Sequence, residues 1–198
     1  VVEHIFGALN ELARRYQIDF FKWDMNRYPA EPGSVAGREV WLRHVAGVYG
    51  IMDRLRRNHP RLSIQSCSGG GGRVDFGMLG RADQVWTSDN TDAFDRLRIQ
   101  EGYSLAYPAR AMECWVTHEW NHQTHVIATV DFRFHCAMRG ALGIGSNLRE
   151  LKEPERIEYR RHIAFYKRVR ALIQDGDLYR LERLEQFGRS VWQYVSAD

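Results

Sequence analysis

The sequence is short of cysteine, of net charge and of long apolar runs, and each shortage closes a class of function. Its three cysteines, Cys67, Cys114 and Cys136, are odd in number and widely spaced, which argues against a disulfide framework. A formal charge of +3, with basic residues interleaved among acidic ones, leaves no stripe for nucleic acid. The basic triple Arg54, Arg56 and Arg57 reads as the solvated end of a helix. No run approaches the ~18 apolar residues of a membrane span, so no membrane partner is expected. There is no low-complexity segment, no repeat of fixed period and no visible signal peptide. The chain begins Val1-Val2-Glu3 without Met, which leaves room for an upstream segment. Compartment is thus loosely constrained, with the cytoplasm as the expectation. What remains is 198 residues of ordinary hydrophobic content, 44%, enough for a sizeable core.

One stretch organises the rest: Phe20-Phe21-Lys22-Trp23-Asp24-Met25-Asn26-Arg27. Strand alternation sends Phe20, Lys22 and Asp24 to one face and Phe21 and Trp23 to the other. The aromatic face can pack under helices. The opposite face carries a cation two residues before a carboxylate, where the strand runs out. In parallel α/β proteins that carboxyl end is where ligands bind.

Around it, helical spacing of Val2, Ile5, Phe6, Leu9, Leu12 and Tyr16 predicts a helix over 1–17. Pro29, Pro32 and Gly33 form a loop, with Ser34 as a cap. Trp41, Val45, Val48, Tyr49, Met52 and Leu55 mark a second helix that Asn58-His59-Pro60 stops. Strands are predicted from Arg61 to Ser66, Gln84 to Ser88, Ala111 to Val116 and Ala141 to Ile144. Thr91 or Asp92 caps a helix from Ala93 to Glu101, and Tyr103 to Pro108 is a hydrophobic connection. Thr129 to Arg139 reads as helical. Pro154 suits the first turn of a long helix that Gly176 ends. Strand and helix alternate through about five units, the pattern of an α/β protein with a parallel sheet. A closed (β/α)8 barrel takes about 250 residues, so the expectation is part of a TIM barrel.

Three strand ends carry candidate groups: Lys22 and Asp24, then Cys67 and the glycines, then Asp89. Two carboxylates around one mouth can serve as nucleophile and general acid in glycoside hydrolysis, about 5–5.5 Å apart for retention and 6.5–9.5 Å for inversion. Lys22 would hold Asp24 ionised, as a nucleophile needs. Asp89 comes directly off its strand, whereas Asp92 suits a cap and Asp95 an exposed helix face. Gly69 to Gly72 lacks both the Gly-Lys-Ser/Thr ending of a P-loop and the dinucleotide spacing. Those glycines instead let backbone N–H groups approach a ligand. Cys67 also reads simply as a small buried hydrophobe. His118-Glu119-x-x-His122 fits a zinc-peptidase pattern, but its setting favours no helix and no clear third ligand follows.

Lys22-Trp23-Asp24-Met25-Asn26-Arg27, Ser66-Cys67-Ser68 with the four glycines and Arg73, and Trp86-Thr87-Ser88-Asp89-Asn90-Thr91-Asp92-Ala93 together closely resemble glycoside hydrolase family 36, the microbial and plant α-galactosidases. Asn121-His122-Gln123, Ile163 to Lys167 and Leu172-Ile173-Gln174 are similar to that family as well. The resemblance implies a retaining α-galactosidase acting on raffinose- or melibiose-type α-galactosides, without metal or organic cofactor, and a homo-oligomer in the parent enzyme. It places Asp24 on the nucleophile, Asp89 on the acid/base, and Lys22, Asn26, Cys67 and Gly70 on positions lining the galactose pocket. Asp24, Cys67 and Asp89 would follow the fourth, fifth and sixth barrel strands, so the chain would hold about strands 4 to 8.

Departures accompany the likeness. Gln65 stands where the family leads one to expect glutamate, on the same face as Cys67, and so alters the charge beneath the pocket. The stretch 125–148 fits loosely. The family's first three barrel strands, with the paired carboxylates that grip galactose, and its N-terminal β domain have no counterpart. Val191 to Ser196 resembles the opening strand of its C-terminal β-sandwich. The expected division is residues 1–176 as barrel and 177–198 as the start of that β domain. Two readings compete with activity in this chain: an inactive barrel fragment and, more distantly, a zinc peptidase through His118 and His122.

Overall fold

A computed structural model describes residues 1–26 and 39–196. The expected loop of Pro29, Pro32 and Gly33, the Ser34 cap and Arg27 lie outside the described residues. The chain divides into two compact units, Val1–Val85 and Trp86–Asp198.

In the first unit, α1 (Val2–Tyr16) ends on Gln17 in left-handed conformation, and β1 (Phe20–Asp24) follows. Helix α2 (Val40–Asn58) stops at His59, where Pro60 can no longer donate to the helical ladder. Strand β2 (Ser63–Cys67) pairs in parallel with β1, placing Lys22 beside Gln65 and Asp24 beside Cys67. It also pairs in parallel with β3 (Gln84–Trp86), through Gln65 with Gln84 and Ser66 with Val85. The period of two then sorts the sheet. Ile64, Phe21 and Trp23 join Ile51, Met52, Leu55, Leu62 and Met78 in the core under the helices. Lys22, Asp24, Gln65 and Cys67 are left on the other face. Burying a side chain such as Leu55, fully enclosed, contributes roughly 1.5–3 kcal/mol.

Strand β2 starts at Ser63 and takes in Cys67, where the sequence predicts Arg61 to Ser66, and two further details differ from expectation. Between β2 and β3 lies a four-residue helix, α3 (Phe76–Leu79), whose Asp75 cap accepts from the Met78 N–H at 2.8 Å. Arg54 and Arg56 are not simply solvated. Arg54 binds both carboxylate oxygens of Glu3 and lies over the Phe6 ring, while Arg56 grips Asp83. Asp83 in turn accepts from the Ile64 N–H, so the pair fixes where β2 runs. Arg57 remains exposed.

The second unit opens with the last residue of β3. Helix α4 (Ala93–Ser104) is capped by Asp92, whose Oδ1 accepts from the N–H groups of Phe94 and Asp95, both at 2.9 Å. Strands β4 (Met112–Val116) and β5 (Ala141–Ile144) pair in parallel, Trp115 opposite Gly143, with α5 (Val130–Ala137) between them in sequence. Helix α6 (Glu153–Asp175) packs on α5, where Phe134 stacks on His162 and meets Tyr159 edge-on. Strand β3 stops two residues short of the expected Ser88 because buried Arg96 takes the Thr87 hydroxyl and the Ser88 carbonyl. After Gly176 come β6 (Asp177–Glu182), α7 (Leu184–Phe187) and β7 (Val191–Val195), an antiparallel pair. Only β7 is foreseen by the sequence. The pair is tied down by Arg139 to Ser190, by the Tyr194 hydroxyl to the Arg139 carbonyl, and by Arg183 to Glu101. The fold is α/β with a small antiparallel addition.

Candidate active site

The carboxyl ends of β1 and β2 are tied to each other by side chains that run out of both strands. The Met25 N–H donates to the Cys67 carbonyl at 3.2 Å, and the Ser68 hydroxyl donates to the Met25 carbonyl. Asn26 bridges the two ends: its Nδ2 donates to Asp24 Oδ2 at 3.3 Å and its Oδ1 accepts the Gly69 N–H at 2.7 Å. Below them, Arg73 Nη2 donates to the carbonyls of Trp23 and Cys67 at 2.9 and 2.8 Å. Five N–H bonds in a fixed planar fork give Arg73 a set bonding direction toward both carbonyls, where the rotatable ammonium of Lys would leave it free. Gly70, at φ +81°, adopts a left-handed conformation that costs a Cβ-bearing residue roughly 1–2 kcal/mol. At Gly72 a Cβ would stand 2.5 Å from the Ser68 carbonyl oxygen, so only glycine fits the turn.

The structure therefore brings Lys22, Asp24, Asn26, Cys67 and Gly70 together at one strand end. Asp24 and Lys22 are exposed, while Cys67 and Gly70 are buried. Burial pushes the Cys67 thiol up. The Gly70 N–H and the Lys22 ammonium pull it down, and its hydrogen bond to Asp24 adds to the rise. Cys67 thus behaves as a neutral donor beside the carboxylate and not as a nucleophile. Burial also drives the thiols of Cys114 and Cys136 up, to about 12 and about 11. With all three thiols protonated and buried, iodoacetamide at pH 8 is expected to leave them unlabelled in the folded protein and to label each after unfolding. Site-resolved mass spectrometry reads this directly. Gln65, beneath Cys67, is 1% exposed and its Oε1 has no hydrogen-bond partner among the described residues.

Asp89 stands in the second unit, exposed, with Oδ1 accepting from the Trp86 indole N–H at 2.9 Å. The loop that carries it is held from two sides. Arg96 binds Thr87, Ser88 and the Glu113 carbonyl, and the Asn121 Nδ2 reaches the Thr91 hydroxyl at 3.2 Å. Gln123 accepts from the Thr91 N–H, and the Thr124 hydroxyl donates to Asp92. Of the two caps the sequence offers, Thr91 and Asp92, the helix uses Asp92, which is buried, while Asp95 is half-buried and accepts from Asn90, not on an open helix face. Arg73 and Trp86 stand inside the family-like motifs with no role assigned by the sequence, and Arg96 carries no signal there at all. The signal for Arg73 was its place at the end of the glycine run, and for Trp86 its place three residues before Asp89.

The His118 to His122 segment is a loop: Trp120 bridges antiparallel to Ile127, and Asn121 accepts the N–H groups of Gln123 and Thr124. The two histidines do not share a helical face, which the zinc-peptidase pattern requires. Among the described residues, one group is close enough to hold a metal ion, Asp131, Glu158 and His162, with ligand atoms within 4.8 Å of one another. Arg161 already sits there, 2.8 Å from Asp131 and 2.6 Å from Glu158, and supplies the positive charge. No helix among the described residues is long and apolar enough to cross a membrane.

Carboxyl ends of parallel strands are where α/β proteins bind their ligands, and here they present a carboxylate, a lysine, an amide and a glycine turn. The melibiase family model matches residues 1–176. Alpha-galactosidase AgaA of Geobacillus stearothermophilus is 41% identical over 203 residues, which cover 100% of this chain and 28% of that relative. Alpha-galactosidase 1 of Pediococcus pentosaceus is 39% identical over 201 residues, 99% of this chain and 27% of the relative. The crystal structure of AgaA superimposes with a TM-score of 0.95 at 41% identity, over 99% of this chain and 28% of that one. Variants of AgaA have been solved in complex with raffinose and with stachyose. The chain belongs to the melibiase family, among the α-galactosidases of glycoside hydrolase family 36. It spans 28% of the length of AgaA.

Proposed function

We propose that the chain is the C-terminal part of a (β/α)8 catalytic barrel, about strands 4 to 8, from a retaining α-galactosidase. Residues 1–176 belong to the barrel and 177–198 begin a C-terminal β domain. The substrates are terminal α-linked galactosides of the raffinose or melibiose type. The observation that carries the reading is the convergence of Asn26 and Cys67 on Asp24 at the carboxyl end of β1, with the Gly70 N–H set against the Cys67 thiol.

In the reaction, Asp24 attacks the anomeric carbon while Asp89 protonates the departing glycosidic oxygen. A galactosyl ester forms on Asp24 and the aglycone leaves. Asp89, now a carboxylate, takes a proton from water as that water attacks the anomeric carbon and releases Asp24. Lys22 offsets the negative charge around Asp24, and its three donors suit sugar hydroxyls. Asn26 keeps Asp24 aimed, and the Cys67 thiol and Gly70 form the wall against which galactose sits. Buried, reduced thiols fit a cytoplasmic setting, and the parent is read as a homo-oligomer. Proton NMR of early hydrolysis by the full-length protein should show α-galactose first, with the β anomer appearing only through mutarotation. The β anomer first would contradict double displacement.

For the isolated chain we favour inactivity. Strand β1 pairs with β2 alone among the described residues, and Phe20 on its ligand-side face is 46% exposed. An unpaired edge and open apolar surface of this kind call for neighbouring strands. Assaying the chain beside the full-length protein on an aryl α-galactoside separates the two: equal specific activity would overturn the fragment reading.

A further inference from the structure

We propose that Trp86 is a positioning residue for Asp89, and that Trp115, lying on a shelf made by Gly143 and Gly145, holds Trp86 in place. The inference rests on the acid/base assignment of Asp89 above. Trp86 is 3% exposed, and its indole N–H donates to Asp89 Oδ1 at 2.9 Å. A buried indole is a stiff donor, so the aim of the bond is set by what packs against the ring. The Arg96 guanidinium lies 4.7 Å from the ring centroid on the Trp86 ring, and the Trp115 ring lies 4.4 Å away, tilted by 40°.

Trp115 is itself placed by two independent devices. Its indole N–H donates to the Glu113 carboxylate, two residues back on the same face of β4. Its ring lies across β5 so closely that a Cβ on Gly143 would stand 2.4 Å from Trp115 Cδ1, and one on Gly145 would stand 2.8 Å from Cε3. Neither glycine has a positive φ, so backbone conformation does not demand glycine at either position. The space taken by Trp115 does.

The chemistry follows from which state of Asp89 the bond favours. An N–H donor stabilises a carboxylate more than a carboxylic acid. In the first half-reaction Asp89 gives its proton to the leaving oxygen and becomes a carboxylate, so the Trp86 N–H strengthens its bond as the proton departs. The bond also occupies Oδ1, leaving Oδ2 as the oxygen that faces the glycosidic bond. A sugar leaving group needs that proton, whereas dinitrophenolate leaves without it.

The test is Trp86→Phe in the full-length protein, which keeps the ring and removes the N–H. Expected is a fall in kcat/KM for raffinose on the order of 10- to 100-fold, the worth of a hydrogen bond to a charged group. For 2,4-dinitrophenyl α-galactoside the fall should be less than threefold. Gly143→Ala, which touches Asp89 only through the two tryptophans, should show the same split in weaker form. Equal losses on both substrates in both variants, or no loss on raffinose, would overturn the proposal. A wild-type protein inactive on both substrates would remove the α-galactosidase reading, and this inference with it.

Discussion

Replacing Asp24 with alanine in the full-length protein is expected to lower kcat/KM on aryl α-galactosides by a factor on the order of 10⁴ or more. The size follows from the role. Without the carboxylate no galactosyl ester can form, and what survives is binding plus protonation by Asp89. The fold should tolerate the change, because Asp24 is exposed, Asn26 keeps its bond from the Gly69 N–H, and the Cys67 thiol is neutral and buried. Azide sharpens the result. In the cavity left by alanine it can attack the anomeric carbon directly, from the face opposite the leaving group, and the product should be β-galactosyl azide. Activity within tenfold of the wild type would remove Asp24 from the nucleophile's place.

Asp89→Ala should give the second-largest effect, and one that depends on the substrate. For raffinose, whose leaving group must be protonated, a loss on the order of 10³- to 10⁴-fold is expected in kcat/KM. For 2,4-dinitrophenyl α-galactoside the first step needs no acid, so kcat/KM should fall far less. The ester on Asp24 should then accumulate, since no base activates water. Azide needs no base, and it should restore turnover to give α-galactosyl azide, the opposite anomer from the Asp24 variant. The two carboxylates are thereby told apart by the configuration of one product. If azide gives the β anomer with Asp89→Ala, the roles are exchanged.

Strand alternation made the ligand-side face legible in advance. Lys22 and Asp24 share it with Gln65 and Cys67 because the side-chain period is two and the pairing is in register. Local signals also placed the Asp92 cap and the Gly176 stop, since each depends on residues within one helical turn. What escaped depends on groups distant in sequence. The Asn26 bond to Gly69 spans 43 residues and the Arg73 bond to the Trp23 carbonyl spans 50, and no local pattern announces either. Arg96 reads locally as one more charge on a short helix. Its burial is intelligible only once the carbonyls of Ser88 and Glu113 are seen to converge on it. Strand β6 was hidden for another reason: Asp177 to Glu182 carries charges on both faces, at 177, 180 and 182, and takes its partner from β7, across the short α7. Glycines 143 and 145 carry no local signal, and they matter because of the ring that lies on them.

The covalent step is the centre of the account, and it can be observed on the residue itself. The full-length protein, incubated with a fluorinated galactosyl fluoride whose ester hydrolyses slowly, should gain the mass of one fluorogalactosyl group. Peptic digestion and tandem mass spectrometry should place that group on Asp24, within the peptide that contains Phe21-Lys22-Trp23-Asp24-Met25. A label on Asp89, on any other carboxylate, or no label under turnover conditions would contradict the assignment.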